Sequence, residues 1–125
     1  MWPIPVLLVD DNRAFLRVLT GFLRDESREE FMVVASVSDS REAIAQASAT
    51  QPEVVLLDLN MPHISGLALL PRLREQMPQA TIVMLTLSDG ADVHRATRAL
   101  GADGFVSKLT DSISHAFIIC TGRKQ

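Results

Sequence analysis

The sequence predicts an α/β fold in which a five-stranded parallel sheet is covered by helices on both faces. Short and nearly continuous apolar runs recur along the chain, as expected of strands that are buried on both faces. Between these runs lie longer segments in which apolar residues recur at helical spacing. Strands that alternate with helices in this way are typical of a doubly wound parallel sheet.

Each predicted strand is an apolar run in which valine, isoleucine and leucine predominate. Such residues suit a sheet interior, where side chains from both faces of a strand are buried. A strand of this kind needs a helix on each side, which the segments between the runs can supply. In chain order the five runs are Val6–Val9, Phe31–Ala35, Val54–Leu57, Ile82–Leu85 and Phe105–Val106.

Each predicted helix carries apolar residues at intervals of three and four. Ser40 is expected to cap the second helix, and Gly101 is expected to stop the fourth. Pro71 removes a hydrogen bond from the third, so we expect a kink there or a later start than Ser65-Gly66 suggests. The predicted faces are Ala14, Val18, Gly21 and Phe22 (widened by Leu19 and Leu23); Ala43, Ile44 and Ala47; Leu67, Leu70 and Leu73; Val93, Ala96, Thr97 and Leu100; and Ile113, Ala116, Phe117 and Cys120.

Length and composition limit the classes of protein to consider. The 125 residues, 47% of them hydrophobic, suffice for one domain, and we expect residues 1–125 to form a single domain. A net charge of −3 without a basic cluster gives no nucleic-acid footprint. The one cysteine, Cys120, cannot form an intrachain disulfide, which favours a reducing compartment. The sequence has neither a signal-peptide pattern nor a membrane-length apolar run, so we predict a cytoplasmic protein.

Polar side chains follow four of the five predicted strands at the points where these strands end. Loops at the carboxyl ends of parallel strands build the ligand site in such a sheet, so these side chains should meet at one edge. Asp39, after the second strand, is instead expected to be a helix-start or turn residue. The converging residues are Asp10 and Asp11 after the first strand, Asp58 after the third, Thr86 and Ser88 after the fourth, and Ser107 and Lys108 after the fifth.

The carboxylates of Asp10, Asp11 and Asp58 predict a site for a hard divalent cation, because three close negative charges repel one another without one. Magnesium binds one or two carboxylates together with waters and phosphate oxygens. Lys108 would add a positive charge suited to a phosphate oxygen, and Thr86 would add a neutral donor. Together these groups would neutralise the charge of a phosphoryl group in transfer, and a carboxylate can itself accept that group.

Four motifs occur in order: Val6-Leu7-Leu8-Val9-Asp10-Asp11-Asn12, Val54-Val55-Leu56-Leu57-Asp58-Leu59-Asn60-Met61-Pro62, Met84-Leu85-Thr86 and Gly101-Ala102-Asp103-Gly104-Phe105-Val106-Ser107-Lys108. In their order and spacing the chain resembles the receiver domain of two-component response regulators over nearly its whole length. The segments Phe31–Ser36 and Ala96–Phe105 are most similar to the NarL/FixJ-like (LuxR-type) transcription-factor branch. The resemblance implies a flavodoxin-like fold with five helices and strand order 2-1-3-4-5.

The resemblance also implies a role for each acidic residue of the predicted site. Asp58 would accept a phosphoryl group from a cognate histidine kinase or a phosphotransfer protein. Asp11, Asp58 and the backbone carbonyl of Asn60 would bind Mg²⁺ directly. Asp10 would act mainly through a metal-bound water. The predicted cofactor is therefore Mg²⁺, and the predicted reaction is a phosphoryl transfer that leaves the protein modified at Asp58.

The signal would leave the site through the remaining matched residues. The resemblance implies that Thr86 and Lys108 bind the phosphoryl oxygens and that Phe105 is a switch aromatic that then turns. The altered surface of the fourth helix, fifth strand and fifth helix would bind a partner or a second copy of the chain. The apolar run Phe117–Cys120 suggests such a homodimer contact or a continuation of the chain. Regulation of transcription, and any contact with DNA, would pass through an effector domain outside these 125 residues.

Two other interpretations remain open. The chain could be a pseudo-receiver, an interaction module that works without phosphorylation, although its intact acidic triad argues against this. It could also be an aspartate-based phosphohydrolase. Such enzymes usually place the nucleophile and a second aspartate two residues apart after the first strand, where this chain has Asp10-Asp11-Asn12. We therefore expect a switch and not an enzyme.

Overall fold

The sheet is parallel throughout. The computed structural model describes residues 3–26, 31–87 and 90–108. Its strands are β1 (Ile4–Val9), β2 (Phe31–Val37), β3 (Val54–Asp58), β4 (Thr81–Thr86) and β5 (Gly104–Ser107). They lie in the order β2-β1-β3-β4-β5, so the predicted flavodoxin-like order 2-1-3-4-5 is confirmed.

The described residues contain four α-helices, and a 3-10 turn (Ser40–Glu42) precedes the second of them. None of these helices combines the length and the apolarity that crossing a membrane requires. The predicted fifth helix lies outside the described residues, and so do Ser88 and the run Phe117–Cys120. The helices are α1 (Arg13–Glu26), α2 (Ala43–Thr50), α3 (Gly66–Gln76) and α4 (Ala91–Ala99).

The core has two layers because successive residues of a strand point to opposite faces of the sheet. Leu7 of β1 packs in a cluster with the buried residues of α2 and α3, whereas Leu8 packs in a second cluster with α1. All of β3 is buried, since helices cover both of its faces. This burial explains why the strands are continuous apolar runs in the sequence.

The face of α1 that packs on the sheet agrees with the predicted one only in part, at Leu19, Leu23 and the half-buried Phe22. Leu16, Leu19 and Leu23 are buried, whereas Val18 is 59% exposed and Ala14 also lies at the surface. Two apolar rows run side by side along this helix, and the row of leucines buries more apolar area. The prediction that Ala14 and Val18 contact the core is therefore wrong.

Helix α3 begins directly after Ser65, whose hydroxyl oxygen accepts a hydrogen bond from the backbone N–H three residues on. It continues through Pro71, so the predicted alternative of a later start is wrong. Pro71 is exposed, which keeps its ring away from the packed face. Leu69 is fully buried where Leu67 was expected to contribute, and Leu67 is 38% exposed.

Three predictions concern the ends of the remaining helices. Those for Asp39 and Gly101 are confirmed, and that for Ser40 is wrong. Asp39 caps the 3-10 turn, since its carboxylate accepts a hydrogen bond from the Arg41 N–H at 3.0 Å. Ser40 is buried and is not the cap that the sequence suggested. Gly101 follows the end of α4 with a φ of 114°, a conformation that favours glycine, so its predicted role as a stop is confirmed.

Candidate functional site

The ends of β1 and β3 bring three carboxylates together at one edge of the sheet. Asp10 follows β1 and Asp58 ends β3, and the two strands are neighbours in which Val9 pairs with Leu57. One carboxylate oxygen from each of Asp10, Asp11 and Asp58 lies within 4.8 Å of the others. Asp10 and Asp58 are buried, whereas Asp11 is exposed. The cluster therefore opens to solvent on the side of Asp11.

Lys108 reaches into this cluster from the end of β5. Its Nζ lies 2.6 Å from Asp10 Oδ2 and 3.7 Å from Asp58 Oδ1, and its side chain is only 9% exposed. The Lys108 N–H donates a hydrogen bond of 2.7 Å to the Thr86 carbonyl, which ties the end of β5 to the end of β4. A buried ammonium between two carboxylates compensates part of their negative charge.

The start of α1 fixes the first of these carboxylates. The Asn12 side-chain oxygen caps the helix by accepting a 3.0 Å hydrogen bond from the Phe15 N–H. The Asn12 N–H donates to Asp10 Oδ1 at 2.8 Å, and the Asp10 N–H donates to the Val37 carbonyl at 3.0 Å. Asp10 is thus held through its backbone by β2 and through its side chain by the loop that starts α1.

Burial is the largest influence on Asp58. The pKa of this carboxyl is raised from 3.8 to about 7, chiefly because its charged form loses contact with water on burial. The negative charge of Asp10 also raises the pKa of Asp58, and the Lys108 ammonium opposes this effect. A divalent cation would favour the charged form. Three oxygen donors of this kind match the preference of Mg²⁺, so the residues present fit the predicted metal.

Thr86 and Asn60 flank the acidic cluster. Thr86 ends β4, is fully buried and pairs in register with Ser107 of β5. Asn60 lies two residues after Asp58 in the exposed part of the loop that follows β3. Both therefore lie at the same edge of the sheet as the carboxylates, as expected of residues that follow the carboxyl ends of parallel strands.

Phe105 lies on β5 with its side chain half-buried, and it pairs in register with Met84. Its ring contacts the imidazole of His94 on α4, with 3.7 Å between the ring centroids and 44° between the planes. The predicted switch aromatic is therefore packed between the sheet and α4. No sequence pattern marks His94 as its neighbour.

Two further residues of this site were not predicted from the sequence. A Cβ atom added at Gly66 would lie 2.0 Å from the Asp58 carbonyl oxygen, so only glycine fits at the start of α3. The position of Gly66 shortly after the Asp58 motif was a usable signal. Phe15 lies under Lys108, with Nζ 4.5 Å from the centroid of its ring, a cation–π contact that nothing in the sequence marks.

The buried Ser40 holds the loop between β3 and α3 through two hydrogen bonds. Its hydroxyl donates a 2.7 Å hydrogen bond to the Pro62 carbonyl and accepts one of 3.0 Å from the Ile64 N–H. The loop between β3 and α3 is thereby attached to the start of α2. Ser40 is a positioning residue for the segment that carries Asn60.

Comparison with known proteins agrees with this geometry. A family model described as the response regulator receiver domain matches residues 6–114. The chain is 40% identical over 109 residues to a nitrate/nitrite response regulator protein homolog from Haemophilus influenzae, and this match covers 86% of the chain and 51% of the relative. The chain thus spans about half the length of that relative.

Two solved structures are also similar. A LuxR-family two-component response regulator from Aurantimonas sp. SI85-9A1 superposes with a TM-score of 0.85 at 26% identity, covering 98% of this chain and 88% of that one. A Burkholderia pseudomallei response regulator superposes with a TM-score of 0.81 at 26% identity, covering 94% of this chain and 66% of that one. That structure contains a phosphorylated aspartic acid, a calcium ion and citrate.

Proposed function

Since the chain belongs to the family of response regulator receiver domains, we propose that it is a switch that is set by phosphorylation of Asp58. The observation that carries this proposal is the clustering of Asp10, Asp11 and Asp58 within 4.8 Å, with the Lys108 ammonium 3.7 Å from Asp58. A buried carboxylate beside a fixed positive charge supports phosphoryl transfer, because that reaction depends chiefly on positioning and electrostatic stabilisation.

In the proposed reaction a carboxylate oxygen of Asp58 attacks the phosphorus of a phosphohistidine on a histidine kinase or a phosphotransfer protein. The new P–O bond forms as the P–N bond breaks, and the partner histidine is released. Asp11, Asp58 and the Asn60 carbonyl would hold Mg²⁺, with Asp10 acting through a water. The ion supplies positive charge that offsets the charge of the transferred group.

Thr86 and Lys108 are proposed to bind the oxygens of the phosphoryl group on Asp58. Lys108 Nζ is 2.6 Å from Asp10 and 3.7 Å from Asp58, so a small movement would bring it to a new phosphoryl oxygen. Phe105, which packs on His94 of α4, would carry the change to the surface of α4 and β5. A partner or a second copy of the chain would bind that surface.

We further propose a cytoplasmic protein whose residues 1–125 form one receiver domain. Its output would be regulation of transcription, which is the role named for a 33% identical relative from Mycobacterium tuberculosis, a probable transcriptional regulatory protein. Contact with DNA would then require an effector domain. The chain itself would act as a switch and not as an enzyme, so purified protein should not turn over small phosphoesters.

Labelling with acetyl phosphate tests the proposal. The chain should gain one phosphoryl group in the presence of Mg²⁺, and this gain should disappear with a chelator or in Asp58→Ala. Asp92→Asn is a matched control, because Asp92 is an exposed carboxylate on α4, outside the acidic cluster, and should label like the wild type. Labelling of Asp58→Ala at the wild-type level would refute the proposal. If the wild type and Asp92→Asn are also not labelled, the result would favour an interaction module that works without phosphorylation.

A further inference from the structure

A cleft of about 500 Å³ lies between α1 and β2, on the face of the sheet that α1 covers. Arg13 and Arg17 line its wall on α1, while Ser36 and Ser38 line the wall at the end of β2. The described residues that line it include no carboxylate. It shares no residue with the acidic cluster, the lysine or the threonine of the phosphorylation site.

The arginines make this cleft positive in a chain whose net charge is −3. Arg13 and Arg17 are four residues apart, so their side chains are neighbours on one side of the helix. Neither forms an ion pair with any carboxylate in the described parts of the chain. Two neighbouring guanidinium groups repel each other, and an anion with two charged groups would relieve that repulsion.

A bulge in β2 supplies the hydroxyl groups of the opposite wall. The pairing of β1 with β2 shifts between Val6 and Leu7, so that Leu8 pairs with Ser36. Leu8 points to the layer that contains α1, and Ser36 therefore shares that face. Without the extra residue Ser36 would point to the other face. The bulge thus turns two small donors, Ser36 and Ser38, toward the arginines.

Gly21 also lines the cleft, on the α1 side. A Cβ atom added there would meet nothing within 4 Å, so even a small side chain would leave space beside it. The volume of about 500 Å³ is within the range of small-molecule sites. Guanidinium groups only donate hydrogen bonds, whereas hydroxyl groups can both donate and accept them. Both kinds of group match phosphate oxygens, which accept several hydrogen bonds at once.

We propose that this cleft binds a small anion with two adjacent phosphoryl groups, either free or as part of a nucleoside diphosphate. Each of Arg13 and Arg17 contacts one phosphoryl group in a bidentate manner, and the Ser36 and Ser38 hydroxyls donate from the opposite wall. The site is separate from Asp58, so the ligand binds without Mg²⁺ and is not transferred to the protein.

Titration of the ¹⁵N-labelled full chain with pyrophosphate, ADP and adenosine in metal-free buffer tests this site. Pyrophosphate should give saturable shifts at the amides of residues 13–21 and 36–38, with a Kd below about 1 mM. Adenosine should give none. ADP that binds as tightly as pyrophosphate supports a nucleotide ligand, whereas weaker binding of ADP supports the free anion.

Variants separate this site from general attraction to positive charge. Arg17→Gln should weaken pyrophosphate binding at least tenfold, and Ser36→Ala should weaken it about threefold. Arg72→Gln is the matched control, because Arg72 is an exposed arginine on α3 and should not matter. Asp58→Asn should bind like the wild type.

Several results would overturn the proposal. Equal effects of Arg17→Gln and Arg72→Gln would mean that binding is diffuse. Orthophosphate binding as tightly as pyrophosphate would remove the need for two adjacent phosphoryl groups. An oligoglutamate peptide that binds more tightly than pyrophosphate would indicate a protein segment as the occupant. If Arg17→Gln unfolds the chain, Arg13→Gln provides the same comparison, since both side chains are exposed.

Discussion

At the scale of single residues, the burial of Asp58 disfavours its charged form and also strengthens its interaction with a cation. The side chain is almost fully buried beside Asp10, so its negative form is unfavourable when no cation is bound. The same exclusion of water strengthens any interaction with a cation or with the Lys108 ammonium. A site that is unfavourable for a bare carboxylate is therefore favourable for a carboxylate that binds metal.

This burial predicts how stability depends on pH. The Asp58 carboxyl ionises near pH 3.8 in the unfolded chain and near 7 in the folded, metal-free chain. Between these values the folded chain binds the extra proton, so its stability falls as the pH rises. Asp58→Asn lacks this titration. Its free energy of unfolding relative to wild type should therefore rise by on the order of 1–2 kcal/mol between pH 5 and pH 8.

Urea unfolding in metal-free buffer at both pH values measures this difference. Asp92→Asn is the control, because it makes the same carboxylate-to-amide change at an exposed position on α4, outside the acidic cluster. A constant difference between Asp58→Asn and wild type at pH 5 and pH 8 would contradict the predicted rise in the pKa of Asp58. Added Mg²⁺ should stabilise the wild type more at pH 8 than at pH 5.

Gly66 gives a second prediction at this scale. Gly66→Ala places a methyl group against the Asp58 carbonyl, so the backbone must move, and we expect a loss of about 2 kcal/mol or more together with weaker labelling of Asp58. Gly21→Ala is the matched control, because a methyl group there meets nothing within 4 Å. In the middle of α1 it should add about 0.5–1 kcal/mol. Thermal and urea unfolding measure both, and equal effects of the two variants would contradict this account.

At the scale of elements, Arg74 connects the end of α3 to the loop between α4 and β5. Its guanidinium donates to the Gly101 carbonyl at 2.8 Å, to the Ala80 carbonyl at 2.7 Å and to Asp103 Oδ2 at 2.6 Å. Asp103 Oδ2 also accepts a 2.9 Å hydrogen bond from the Ile82 N–H. One side chain thus satisfies backbone groups from two connections, α3 to β4 and α4 to β5, and orders the approach to β5.

Replacing Arg74 should therefore cost more than its partly exposed position suggests. We expect Arg74→Ala to lower the free energy of unfolding by about 2–3 kcal/mol, because buried carbonyls lose their donor. Arg74→Lys should restore little, since an ammonium cannot span several acceptors in one plane. Arg72→Ala on the same helix should change stability by less than about 0.5 kcal/mol. Chemical unfolding measures all three, and a small effect of Arg74→Ala would show that water replaces these bonds.

The strands and helices also show which features of the fold can be predicted from sequence patterns. The strands were predictable because burial on both faces leaves an uninterrupted apolar run, as in Val54–Leu57. The packed face of α1 was predicted only in part, because Val18 and Leu19 belong to adjacent apolar rows and only the sheet decides between them. The roles of Ser40 and Phe15 depend on partners that are distant in sequence, Pro62 and Lys108, so local patterns carry no sign of them.

At the scale of the whole molecule, the parallel sheet places the site and the proposed output surface on neighbouring strands. Asp58 ends β3 and pairs with Leu85 of β4, and Thr86 of β4 pairs with Ser107 of β5. Phe105 is two residues before Ser107 and contacts His94 of α4. The effect of a charge added at Asp58 can thus pass along these paired strands to Phe105 and its contact with His94, provided that Phe105 has two arrangements of similar energy.

Replacing this aromatic should separate phosphorylation from its distant effect. Phe105→Leu keeps an apolar side chain but removes the ring that packs on His94, so Asp58 should label within twofold of wild type. The changes in amide chemical shift that acetyl phosphate and Mg²⁺ produce along α4 should fall by at least half. Phe22→Leu, a change to a half-buried ring on α1, is the control and should leave them intact. Unchanged α4 shifts in Phe105→Leu would mean that the signal crosses the sheet by another route.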